Sequence, residues 1–414
     1  MEAELKMPPI RILLVTQLFD PEPTFKGLVF ARELVRQGFD VEVVTGYPNY
    51  PGGKIYPGYR QQLLRWEIID GVRIARVPLF PSHSQSKLGR ILNYLSFACA
   101  ALIFGLLRRQ KPDVIYAYHP PLTVGVSVAL LRLIRRVPVV YDIQDMWPDT
   151  LRATGMFSNP TGLRIVGHVC QWVYRHVDHL VVLSPGFKRL LVERGVPGVK
   201  VDVIPNWCDE AAMNRVAGTI PVGFPDSSRF RLLFAGNLGK AQAMEAVLDA
   251  ASLWRERAPA LVLVLLGSGI ELVGLKARAE AMRLENVVFM SPVPMADVGS
   301  ILHAADALLV HLKANPLFAI TIPSKTQAYL AVGKPILMAV HGDAAALIEE
   351  SGGGVVAIPE YPTSIAAAAV KLMKCSVAER DSMAECGQRY YREKLSLAVG
   401  VRSFGLIFQR LATK

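Results

Sequence analysis

The chain has 414 residues, of which 51% are hydrophobic and 20% charged. This composition excludes intrinsic disorder, collagen and a long coiled coil, and a single core rarely grows past roughly 250–300 residues, so two domains are expected. The net charge of +11, from 46 Lys and Arg against 35 Asp and Glu, favours an anionic partner: phosphate, nucleic acid or a membrane surface.

The opening MEAELKMPPI lacks the apolar run of a signal peptide. Residues 10–16 (IRILLVT) then read as a strand buried on both faces. A turn, QLFDPEPTFKG, leads into a helix over 27–37 that stops at Gly38. This turn is not a GxGxxG fingerprint, but it follows a first strand, a usual ligand position. Lys26 adds charge there, and Gly27 lets the chain approach a ligand. Strands follow at 41–45, 62–69 and 72–77, the last two joined at Asp70-Gly71, a hairpin dipeptide.

Residues 91–107 (ILNYLSFACAALIFGLL) are the most apolar stretch, with Arg90 before it and Arg108 and Arg109 after it. Three readings stay open: a buried core helix, a helix half-sunk in a membrane surface, and a transmembrane span at the short limit of length. The core helix is the first expectation. Between positions 54 and 136 there are 13 basic residues and 3 acidic ones. An anionic lipid surface is a live alternative to a merely solvated face. No nucleic-acid-binding motif accompanies the charge, so nucleic acid is not expected.

A strand at 114–118 ends at His119, which the flanking Pro120 and Pro121 hold in place for ligand contact. A helix at 122–134 and a strand at 137–143 lead to YDIQDMWPDT, with Asp142, Asp145, Trp147 and Asp149 at the strand end. Asp149 fits a helix N-cap, and Asp145 is expected to face an acceptor. Strands at 179–183 and 201–204 enclose a helix over 184–194. This alternation implies a parallel sheet wrapped by helices.

Residues 206–230 read as a linker, after which the pattern restarts. Strands at 231–235, 261–266, 287–290, 307–311 and 335–339 alternate with helices that include 243–255 and 324–332. A helix-rich tail runs from 376 to 414. Two such doubly wound domains are expected to face one another across a cleft. Gly236, Asn237, Gly239 and Lys240 form a plausible diphosphate cradle. Gly267, Ser268 and Gly269 suit a base or ribose, and Ser291, Pro292 and Val293 could line the same pocket. In ITIPSKTQAYLAVGKP, Thr321, Ile322, Pro323 and Ser324 lead into a helix, and Lys325 adds a cation to the dipole of its first turn. This is the strongest anion site in the sequence. The five cysteines, Cys99, Cys170, Cys208, Cys375 and Cys386, include no CxxC pair, so neither disulfides nor zinc are expected and a reducing compartment fits.

In order, FDPEP, TGYPNYP, YHPP, DIQDMWPDTL, VLSPGF, VIPNW, FAGNLGKAQ, LLGSG and IPSKTQAYLAVGKP resemble the retaining GT-B glycosyltransferases of family 4. They are most similar to bacterial O-antigen and capsule enzymes of the N-acetyl-L-fucosamine type. The resemblance covers nearly the whole chain. It implies an acceptor-binding domain over 1–210, a donor-binding domain over 211–385, and a final helix over 386–414 that crosses back. It also implies a UDP-sugar donor and a polyprenyl-diphosphate-linked glycan acceptor in surface polysaccharide synthesis. The place implied is the cytoplasmic face of a bacterial inner membrane. In a front-face mechanism, Lys240 and Lys325 would stabilise the leaving diphosphate, and Gly27 would let its loop close on the phosphates. His119 would contact the donor sugar. Arg90, Arg108, Arg109 and Trp147 would serve membrane and acceptor. No DxD motif is present, so no metal requirement is expected. The chain departs from the family pattern at Ile320 and Ala328, where many members carry glutamates, and at Asn237, where an arginine is usual. Two rival readings remain: a UDP-N-acetylglucosamine 2-epimerase-like enzyme, and a non-catalytic lipid- or glycan-binding protein.

Overall fold

The computed structural model describes residues 8–82, 87–118, 121–153, 155, 157, 159–216 and 220–413. His119, expected at the site, lies outside the described residues, as does the side chain of Lys87. The chain divides into two compact units. Unit 1 comprises Met1–Leu183, Phe187–Ile204 and Gly400–Lys414; unit 2 comprises Ser184–Gly186 and Pro205–Val399. The chain thus re-enters unit 1 later than position 386. The reason is that helix Val377–Tyr390 packs on unit 2, where Gln388 donates to the carbonyls of Ala331 and Val332 at 3.2 and 3.3 Å.

Unit 1 carries β1 (Arg11–Val15), β2 (Asp40–Gly46), β3 (Arg65–Ile69), β4 (Val72–Val77), β5 (Val114–Tyr118), β6 (Val139–Ile143), β7 (His179–Val182) and β8 (Val201–Val203). They form one sheet in the order β3-β4-β2-β1-β5-β6-β7-β8. Every pair is parallel except the hairpin β3–β4. Apolar strands such as RILLV and VIYAY suit a sheet covered on both faces. The strand order reverses between β1 and β5, and ligands of such sheets bind at the carboxyl ends of the strands at that point.

Unit 2 carries β9 (Phe230–Ala235), β10 (Leu261–Leu266), β11 (Val287–Met290), β12 (Ala307–His311), β13 (Ile336–Ala339) and β14 (Gly354–Val356). All are parallel, in the order β11-β10-β9-β12-β13-β14, which reverses between β9 and β12. Successive side chains of a strand point to opposite faces. Leu232 and Phe234 accordingly join the core on one face and Leu233 the core on the other.

Helix Lys87–Leu107 is not the buried core helix expected first. One face is: Phe97 and Ala101 are buried, and Gly105 lies so close to Leu131 that a Cβ would meet it at 2.6 Å. Asn93 is buried on that face too, accepting from Gln17 and donating to the Phe80 carbonyl at 2.7 Å. The opposite face, with Leu88, Ile91, Leu95, Ile103 and Leu107, is exposed. A buried amide needs partners. Asn93 therefore selects which face of an otherwise uniformly apolar helix turns inward.

The last helix, Leu397–Ala412, supplies aromatic side chains to unit 1 from Gly400 onward. The Phe404 ring is 5.3 Å from those of Tyr116 and Phe30, and Phe408 is edge-on to Phe39 at 6.1 Å.

Candidate functional site

In unit 2 the candidate residues gather at the carboxyl edge of the sheet, around the β9/β12 reversal. β9 ends at Ala235, whose backbone N–H donates to the Tyr329 hydroxyl at 2.9 Å. That bond ties helix Ser324–Val332 to the end of β9. Lys325, in the first turn of this helix, lies over the Phe234 ring with Nζ 3.5 Å from its centroid. A Cβ on Gly236 would come within 3.2 Å of the same Nζ. Burial pushes the Lys325 ammonium down to about 7, and among the described residues no carboxylate acts against that shift. A half-buried cation at a helix N-terminus favours a negative partner on two counts: the dipole and unpaired N–H groups attract it, and the anion offsets the burial penalty.

Around this point Gly236, Asn237, Lys240, Ser268, Ser291, Pro292 and Ser324 are exposed, and Thr321, Pro323 and Val293 half-buried. Ile322 is buried in the core. Gly239 is buried, and its N–H donates to Gln242 at 3.1 Å. Gly267 has a packing role. At φ +150° it presses against the backbone of Gly236, where any side chain would collide. Gly269 meets Leu238 in the same way. These two glycines let the loops after β9 and β10 stack backbone on backbone, with Leu238 N–H donating to the Ser268 carbonyl at 2.8 Å. Ala328 packs against the core. Ile320 caps the short helix Pro316–Ala319.

His311, which sequence reasoning passed over, holds the turn that carries Lys240. The Glu360 N–H donates to His311 Nε2 at 3.0 Å, so Nδ1 carries the proton and donates to the Gln242 carbonyl at 2.6 Å. Burial lowers its pKa, which keeps this neutral tautomer. Among the described residues no group of three or more His, Cys, Asp or Glu is placed to hold a metal ion.

In unit 1 the loop after β1 is held by charges that the sequence did not flag. The buried Glu22 carboxylate accepts the N–H groups of Asn49 and Tyr50, each at 2.7 Å. Buried Arg76 reaches the Asp20 carbonyl at 2.7 Å and Glu67 at 2.8 Å. Asp20 in turn accepts Leu28 N–H at 2.6 Å, and a side chain on Gly27 would collide with that carboxylate. Gly27 is therefore required by the loop itself.

Lys26 departs from expectation. Its ammonium is fully buried, 2.8 Å from the equally buried Asp142. Tyr116 donates to the same carboxylate oxygen at 2.7 Å, and the rings of Tyr118 and Phe404 flank the ammonium. Lys26 is thus an internal counter-ion and offers no charge to a ligand at the surface. Asp145 is half-buried, and its carboxyl is pushed up by burial alone. Tyr94 stands near Asp145, and burial pushes its hydroxyl up.

Arg108 also departs from expectation: it pairs with Glu42 at 2.6 Å and is largely buried, so its charge is neutralised within unit 1. Arg109 is exposed and Arg90 half-buried. Trp147 lines a groove of about 650 Å³ beside helix Pro160–His176, with Arg152, Arg164 and His168. Asp149 opens a short helix and pairs with Arg194.

Two family models match in succession: the glycosyl transferase 4-like domain over residues 28–207 and glycosyl transferases group 1 over residues 221–390. A protein of Escherichia coli strain K12 named as a colanic acid biosynthesis glycosyl transferase, WcaI, is 28% identical over 340 residues, 78% of this chain and 82% of its own length. A Pseudomonas aeruginosa protein named as the glycosyltransferase WbjE is 25% identical over 265 residues, 63% of this chain and 66% of its own. Among solved structures, Anabaena HepE in complex with UDP and glucose aligns with a TM-score of 0.68 at 16% identity, over 97% of this chain and 99% of its own. Sucrose-phosphate synthase from Thermosynechococcus elongatus aligns with a TM-score of 0.72 at 14% identity, over 97% and 99%. Both share the fold of two Rossmann-like units.

Proposed function

The chain belongs to the family 4 glycosyltransferases, of GT-B fold, and from that membership we propose that it moves a sugar from a UDP-sugar to a polyprenyl-diphosphate-linked glycan. The reaction proposed is retaining and serves surface polysaccharide assembly at the cytoplasmic face of an inner membrane. Unit 2 takes the donor and unit 1 the acceptor. The observation that carries the donor assignment is Lys325, a half-buried cation at a helix N-terminus with no carboxylate partner among the described residues, beside the strand-order reversal.

The chemistry asks for charge stabilisation on a departing diphosphate more than for a strong base. The bond between the anomeric carbon and the diphosphate oxygen breaks, and the acceptor hydroxyl forms the new bond on the same face. The leaving phosphate accepts that hydroxyl's proton. Lys325, the first-turn N–H groups of its helix and the exposed Lys240 stabilise the developing negative charge. Asp145, a half-buried carboxyl whose pKa burial raises, is the proposed hydrogen-bond partner of an acceptor hydroxyl. Ile320 and Ala328 supply no carboxylate to the ribose, so exposed Asn237 and Ser268 are the proposed polar contacts. Support for UDP comes from the HepE structure, which holds UDP and glucose. Support for polysaccharide assembly comes from the name of the E. coli relative.

The test is a thermal-shift panel of UDP, GDP, ADP and dTDP, with and without EDTA. A ligand at a hundredfold excess over its dissociation constant adds about 2.7 kcal/mol of stability. The expected result is a UDP-selective shift that survives EDTA. A shift selective for another nucleotide overturns the donor assignment, and a shift abolished by EDTA overturns metal independence.

A further inference from the structure

The geometry points to an apolar plate on unit 1, built from helix Lys87–Leu107 and strand β3, that seats the enzyme on an anionic bilayer. The inference rests on the membrane location proposed above and names the surface that makes it. Along the helix the exposed side chains Leu88, Ile91, Leu95, Cys99, Ile103 and Leu107 recur every three or four residues. They form one stripe roughly 28 Å long at 1.5 Å per residue. Ile103 is 55% and Leu107 78% exposed. The stripe does not end at the helix. On edge strand β3, Arg65 and Glu67 are half-buried, while Trp66 and Ile68 stand out at 51% and 75% exposure. The Trp66 ring lies 5.9 Å from that of Phe104, so strand and helix make one continuous apolar surface. A plate of this extent on a protein surface marks an interaction site.

Charge selects the occupant. Arg90 stands at one end of the stripe, and exposed Arg109 and Lys111 at the other. Helix Leu122–Arg135 abuts that second end, where Arg135 donates to the carbonyls of Leu106 and Arg108, and exposed Arg136 follows. The acids of this region are taken: Glu67 pairs with Arg76, Asp70 with Arg32 and Asp113 with Arg11. An apolar plate with a basic rim complements anionic lipid headgroups above acyl chains. A second copy fits poorly, because a two-fold interface would set one basic rim against another. A full span is excluded by the inner face: Asn93 is bonded to Gln17 and Phe80, and Ser127 donates to the Ala98 carbonyl at 2.9 Å. Only the outer half of the helix is available to lipid.

The full chain is floated with vesicles of phosphatidylethanolamine and phosphatidylglycerol, and with phosphatidylcholine alone. Wild type is expected to float with the anionic vesicles. Ile68→Thr with Ile103→Gln and Leu107→Gln should weaken that partition by about tenfold or more, because apolar area leaves the contact. Arg109→Glu with Lys111→Glu should weaken it only toward anionic vesicles. Ile270→Ser with Val273→Ser, exposed apolar residues of unit 2, should change nothing. All substituted side chains are exposed, and an unchanged thermal melt verifies that folding is intact. If wild type floats and the triple variant floats equally, this surface is wrong and the membrane location stands. If wild type does not float, both fail. A wild-type dimer without lipid that the triple variant renders monomeric assigns the plate to self-association and overturns the inference.

Discussion

Lys325 ties burial to ligand chemistry through a single proton. In the free protein its pKa lies at about 7, against an ordinary 10.5. A lowered lysine means that the unfolded chain binds more protons between these values. This group's contribution to stability therefore rises with pH across that window. Binding of a diphosphate reverses the burial penalty and restores the charge. Near pH 8 the binding of a UDP-sugar should take up about one proton, read by calorimetry in buffers of different ionisation enthalpy. Lys325→Arg, always charged, should bind with no proton uptake; equal uptake in the variant would assign the proton elsewhere. The Lys26–Asp142 pair makes a second prediction at this scale. Removing one partner of a buried pair strands the other, which costs about 3–5 kcal/mol. Lys26→Met should lose that much in urea unfolding, and adding Asp142→Asn should recover part of it. The place of Lys325 in the first turn of its helix was legible from the Pro323-Ser324 start. Lys26 was misread because it sits beside Gly27 in a loop. The signal that places it correctly is Asp142 itself: a carboxylate within the fully buried strand VVYDI requires an internal cation.

At the scale of elements, the parallel strands were legible wherever a run was apolar throughout, and the hairpin at Asp70-Gly71 was legible from its turn. β14 was not: three residues beginning with glycine at a sheet edge carry no pattern. Helix Lys87–Leu107 was legible as a helix but not in its orientation, because both faces are apolar and only Asn93 and Gly105 distinguish them. Those two residues anchor an element-scale prediction. Gly105→Val should drive a side chain into Leu131 and cost about 1–3 kcal/mol by overpacking. Leu107→Gln on the opposite face should stay within about 0.5 kcal/mol. Paired thermal melts measure the contrast, and equal losses would mean that the helix faces are assigned wrongly. The site loops were only half legible. Their positions followed from strand ends, but Glu22, Arg76 and His311, which hold them, act across long sequence separations that no local pattern records.

For the whole molecule, the restart of strand–helix alternation after position 230 made two units readable. The return of the chain to the first unit was readable only by resemblance. The return has an energetic reason: Phe404 and Phe408 cover Tyr116, and Phe404 covers the buried Lys26 ammonium. Deleting Gly400–Lys414 should therefore open unit 1 to water and remove its cooperative thermal transition while unit 2 keeps its own. A deletion variant that melts like wild type would refute that role. The donor site proposed in unit 2 centres on Lys325, and it is probed by titrating UDP into wild type and Lys325→Ala with EDTA present. Saturable binding by wild type and a loss of at least about tenfold in the variant, the equivalent of about 1.4 kcal/mol, are expected. Equal affinity in the two proteins, or no binding by wild type, would rule that site out.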